Sequence, residues 1–116
     1  MKMMHVTIQT CRFEEELAFY QKIPGLKIVG DMRDKGKNLV FLANSEGETC
    51  VEVIDNPEAE NSGNVNLSIG FHAEDVEALR EQLQQEGLSP TPMITPVPGV
   101  RFFFVKDPAG VNVQFI

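Results

Sequence analysis

The stretches HVTIQT (residues 5–10) and NLSIGF (66–71) decide how this chain is read, because each is a short alternating segment and each opens the same series of patterns. Placed one over the other, they set His5 on Asn66 and alternate polar or small residues with Val6 and Ile8 or with Leu67 and Ile69. Past the helical pattern that follows, a shift of one residue keeps the superposition: Gly25-Leu26 fall on Gly87-Leu88, Phe41 on Phe103, Val51 on Val113, Glu52 on Gln114 and Ile54 on Ile116. An internal repeat of this length means a duplicated supersecondary unit, and each half reads strand, helix, three strands.

In the first half a strand near 4–10 precedes a helix in CRFEEELAFYQK, where Phe13, Leu17 and Tyr20 recur at helical spacing and Pro24-Gly25 ends the run. Strands near 26–32, 38–43 and 49–54 follow, and DNPEAENSG links the halves. The second half predicts a strand near 64–71 and a helix over about 73–86. That helix carries Glu74 and Asp75 in its first turn, Val76, Leu79 and Leu83 as its buried stripe, and Gly87 just past its end. The prolines of SPTPMITPVPGV confine that stretch to a sheet edge, a bulged strand or a loop. Strands near 100–105 and 111–116, joined by a turn at Asp107-Pro108-Ala109-Gly110, complete the pattern. The expected architecture is α+β: two βαβββ modules, about 1–57 and about 61–116, within one domain of 116 residues, forming a cup-shaped mixed sheet with helices on its outer face.

Hydrophobic residues make up 42% and charged residues 23%, and no apolar run approaches a membrane span. The net charge of −7 argues against binding nucleic acid or an anionic lipid surface. The acidic groups in FEEEL, NPEAEN, AEDVEAL and EQLQQEG read as solvated helix faces and a linker. The beginning MKMMHVTIQT lacks an apolar signal core, and Cys11 and Cys50 read as free thiols, so a cytoplasmic protein is expected.

Period-2 alternation collects one polar face from four strands. His5, Thr7 and Gln9 come from the first strand, Cys50 and Glu52 from the fourth, Asn66, Ser68 and Gly70 from the fifth, and Asn112 and Gln114 from the last. These are not the lysines and glutamates of a merely wet sheet, so the face is expected to line a small-molecule cavity. His72 is assigned to a cap or the surface, and Phe102, Phe103 and Phe104 to core and cavity wall. The apolar run leaves the direction of Arg101 open, including the possibility that it holds a substrate carboxylate.

The paired modules, HVTIQT with His5, TCVEVI with Glu52, and FFFVKDPAGVNVQFI together resemble the vicinal oxygen chelate superfamily, which contains glyoxalase I, bleomycin-resistance proteins and extradiol dioxygenases. The resemblance implies a cup-shaped fold, often homodimeric, and a four-position ligand set that falls here on His5, Glu52, Asn66 and Gln114. Imidazole and carboxylate suit Zn, Ni, Fe or Mn. Asn66 stands where metal-dependent relatives usually have His, and Gln114 where they usually have Glu, and an amide brings no charge and no basicity.

Two functions follow from that pattern. The leading one is a glyoxalase- or bleomycin-resistance-like binder of a small molecule at His5, Thr7, Cys50, Glu52, Asn66, Ser68, Asn112 and Gln114, with a degenerate metal site. The alternative is a divalent-metal-dependent lyase or isomerase of the glyoxalase I (lactoylglutathione lyase) type, with metal on His5, Glu52 and Gln114 and Glu52 as the catalytic base. Extradiol dioxygenase chemistry fits less well, and a dimeric interaction module with no ligand is a third possibility.

Overall fold

The computed structural model describes residues 1–61 and 66–116. The expected strand start at residues 64 and 65 and the end of the linker at 62 and 63 lie outside the described residues. The chain forms two compact units, Met1–Asn61 and Ser62–Ile116, each with its own sheet.

The first unit runs β1 (His5–Thr10), α1 (Phe13–Lys22), β2 (Lys27–Asp31), β3 (Leu39–Ala43) and β4 (Cys50–Asp55). Its sheet order is β1-β4-β3-β2, with β1 parallel to β4 and the other pairs antiparallel. A parallel neighbour requires a crossover, which α1 and the intervening strands supply. Ile8, Val40, Leu42, Val51 and Val53 are buried on one face, and α1 packs on β4. The α1 stripe holds one residue more than the aromatic spacing suggested. Glu16, three residues after Phe13 and four before Tyr20, is fully buried, so it is an exception to the solvated acidic face expected of FEEEL.

The second unit runs β5 (Ser68–Phe71), α2 (Val76–Gln85), β6 (Phe103–Lys106) and β7 (Asn112–Phe115), in the order β5-β7-β6. β5 lies parallel to β7, as β1 does to β4. Where the first unit has β2, the second has a single bridge between Ile94 and Phe102, plus the Thr91 N–H donating to the Phe104 carbonyl at 2.9 Å. Proline has no N–H to give a ladder, and among the described residues the proline-rich stretch pairs with the sheet at Thr91 and Ile94, between prolines.

α2 starts where Asp75 Oδ1 accepts the Ala78 N–H at 2.9 Å, making Asp75 the N-cap and leaving His72 exposed ahead of the helix. It stops at Gly87, whose φ of +87° closes the helix while the Leu88 N–H donates to the Leu83 carbonyl. The Asp107–Gly110 turn is locked by the buried Asp107 carboxylate, which accepts the Val111 N–H at 2.9 Å. No helix among the described residues is long and apolar enough to cross a membrane.

Candidate functional site

On the first sheet β1 and β4 run side by side in parallel, pairing His5 with Cys50 and Thr7 with Glu52, and β3 sets Phe41 against Glu52. These side chains share the face opposite the buried valines. Glu52 is 9% exposed, and its Oε1 accepts the Thr7 hydroxyl at 2.5 Å and lies 3.6 Å from His5 Nε2. The His5 ring meets Phe41 edge-on, with centroids 5.8 Å apart, and Phe41 in turn lies over Gly30, where a Cβ would stand 3.0 Å from Cδ2 of the ring. His5, Phe41 and Cys50, with Lys2, Met3 and Met4, line a cavity of about 540 Å³.

The second sheet repeats the topology with different chemistry. β5 and β7 pair Ser68 with Asn112 and Gly70 with Gln114, while β6 sets Phe104 against Gln114 and Lys106 against Asn112. Among the described residues, the side chains of Ser68, Asn112 and Gln114 make no hydrogen bond. Gly70 stands where the first sheet has Thr7, and a Cβ there would lie 3.3 Å from Gln114 Oε1, so the amide lies across the space a side chain would take. A cavity of about 330 Å³ opens here, lined by Asn66, Leu67, Ser68, Thr91, Phe104 and Asn112.

Matching the sheets through Glu52 and Gln114 refines the sequence superposition. The residue beside Gln114 on β5 is Gly70, so Ser68 occupies the ladder position of His5, and Asn66 lies in a turn ahead of β5. The counterpart of Phe41 is Phe104; Phe103 is fully buried on the opposite face, because a one-residue step in a strand reverses the side chain. Phe102 and Phe104 contact each other edge-on at 5.8 Å, so this FFF run supplies core from its middle residue and polar-face wall from its outer two. Arg101 is exposed and ion-paired with Glu77 of α2.

A transition metal takes three or four strong donors. His5 and Glu52 are two, and one Glu52 oxygen already accepts the Thr7 hydroxyl. Among the described residues no three His, Cys, Asp or Glu side chains come together as a metal-binding group. The donor set of the first sheet is therefore incomplete for Zn, Ni, Fe or Mn.

A duplicated strand-helix-sheet unit, with its first strand parallel to its last and a polar face on each sheet, defines the class. The chain belongs to the Glyoxalase/Bleomycin resistance protein/Dioxygenase superfamily, whose model matches residues 2–115. It is similar in structure to a glyoxalase I of Leishmania major described as trypanothione-dependent (21% identity, all of this chain and 86% of that one, TM-score 0.78). It is also similar to a lactoylglutathione lyase from Agrobacterium tumefaciens (20%, 98% and 91%, TM-score 0.70) and to TnmS3, an antibiotic binding protein from Streptomyces sp. CB03234 (18%, 99% and 93%, TM-score 0.74). At these identities the likeness establishes the fold. No curated protein matches the chain in sequence at a significant level.

Proposed function

We propose that the chain binds a small molecule on the polar faces of its sheets, through His5, Thr7, Cys50 and Glu52 on the first and Asn66, Ser68, Asn112 and Gln114 on the second, without a tightly held metal. The observation that carries this reading is a cavity on each polar face, about 540 and about 330 Å³, both within the size range of small-molecule sites. The protein acts in the cytoplasm as a homodimer. TnmS3 is an antibiotic binding protein of the same fold, which supports small-molecule binding as a function of this architecture.

One observation favours a second reading, a metal-dependent lyase or isomerase. The His5 imidazole and the Glu52 carboxylate lie 3.6 Å apart on adjacent strands. Glu52 would take a proton from the carbon beside a carbonyl and His5 would hold or protonate an oxygen; a divalent metal, if bound, would supply Lewis acidity.

Metal analysis of untagged protein by plasma mass spectrometry, followed by calorimetric titration with nickel and zinc, separates the two. The binder predicts no stoichiometric metal and saturable small-molecule binding that survives Glu52→Gln. One metal per chain, abolished by His5→Ala and accompanied by proton exchange on an α-oxo thiohemiacetal that Glu52→Gln removes, would replace it with the enzyme.

A further inference from the structure

The cavity on the second sheet has a composition that selects among ligands. Its polar lining side chains are two carboxamides, Asn66 and Asn112, and two hydroxyls, Ser68 and Thr91, and among the described residues no ionisable side chain lines it. The Thr91 hydroxyl is already engaged, accepting the Phe104 N–H at 3.0 Å and lying 3.1 Å from the Pro92 carbonyl. Ser68 and Asn112, paired side by side on β5 and β7, are not engaged within the described residues. Together they offer an amide N–H pair, an amide oxygen and a hydroxyl that both gives and accepts. Half-buried Phe104, held edge-on by Phe102, supplies an aromatic wall beside them.

A ligand group that only accepts, or only donates, uses half of these atoms, and an ion meets no counter-charge among the described lining side chains. A planar group with one donor and one acceptor satisfies the amide in both directions while its ring lies against Phe104. Two charged side chains stand close by among the described residues: exposed Lys106, which pairs with Asn112 across β6 and β7, and Arg80, whose guanidinium donates to the Thr91 carbonyl at 2.7 Å and is occupied there. We infer that this cavity recognises an uncharged aromatic carboxamide or the lactam edge of a heterocycle, read by Asn112 and Ser68 and stacked on Phe104. This inference rests on the reading that the chain binds small molecules.

The test is a nuclear magnetic resonance titration of the full chain with three matched probes: benzamide, benzoate and benzamidinium. The expected result is saturable binding of benzamide, with shifts centred on Ser68, Phe104 and Asn112 and an affinity about tenfold above either ion. Asn112→Leu should remove that preference, and Asn112→Asp should transfer it to benzamidinium, with circular dichroism confirming that both variants fold. Benzoate binding more tightly than benzamide, and losing its advantage in Lys106→Gln, would overturn the ligand class while leaving a small-molecule binder. Benzamide shifts centred on His5 and Phe41, or no saturable benzamide binding, would overturn the inference as well. Failure of all three probes together with an empty fragment screen would remove the wider reading too.

Discussion

At the centre of the first sheet's polar face, a carboxylate accepts from the threonine beside it and lies next to an imidazole; at the same ladder position of the second sheet, an amide lies over a glycine. Strand order is the same around both, with the outer strand parallel to the closing one. The difference lies in which atoms remain available. Glu52 is buried and engaged by its own neighbour, so the first face is largely self-satisfied. Ser68, Asn112 and Gln114 are not engaged within the described residues, so the second face has its hydrogen-bonding capacity to offer. The two units share the order of these strands and differ in their polar faces, which carry a carboxylate and an imidazole on the first sheet and amides and a hydroxyl on the second.

The most severe test of that comparison separates two adjacent phenylalanines. Phe103 is fully exposed to the core and closed to water, so Phe103→Ala should cost about 3–5 kcal/mol in denaturant unfolding. Phe104→Ala should cost less than about 1 kcal/mol while weakening aromatic ligands. Equal costs would mean that the face assignment is wrong. Next in size, Thr7→Val leaves the buried Glu52 without its hydroxyl donor and should destabilise by about 1–3 kcal/mol, whereas Ser68→Ala, at the rim of the unengaged face, should stay within about 0.5 kcal/mol. Thermal melts of the two variants side by side would reveal whether only the first face is internally bonded.

Glycine substitutions sharpen the contrast at smaller scale. Gly30→Ala sets a Cβ 3.0 Å from the Phe41 ring and should cost about 1–2 kcal/mol; Gly70→Ala meets only the movable end of Gln114, at 3.3 Å, and should change stability by less than about 0.5 kcal/mol. The smallest effect belongs to the surface of the first module. Arg33 hydrogen-bonds the Asp31 carboxylate and lowers its pKa to about 2. The folded value lies below the ordinary one, so the stabilisation is present above the usual aspartate range and is lost as pH falls towards 2. Carboxyl resonances of Asp31 should titrate near that value, and Arg33→Ala should return them to the ordinary range, with salt narrowing the difference.

Much of the scaffold was legible because alternation and turn chemistry are local signals. The helix ends at Gly87 and the Asp107–Gly110 turn followed from residues whose backbone preferences are narrow. Polar faces were legible wherever polar and apolar residues alternate, as in HVTIQT, and illegible in FFF, where no alternation tells Phe103 from Phe104. Buried Glu16 was hidden by its charge, although its place between Phe13 and Tyr20 on the helical stripe carried the signal. The step that puts Ser68 rather than Asn66 beside the His5 position is a property of pairing between distant strands, and a one-dimensional superposition does not carry it.

The parallel pairing of β1 with β4 also sets an order of events. Thr7 and Glu52 are 45 residues apart, so β1 emerges from the ribosome long before its partner exists, while β2, β3 and β4 can zip as neighbours. Closing that long loop costs more chain entropy than closing the short loops between neighbouring strands. The polar faces, made of residues from both the earliest and the latest strand of a module, therefore come into being only when that module is complete.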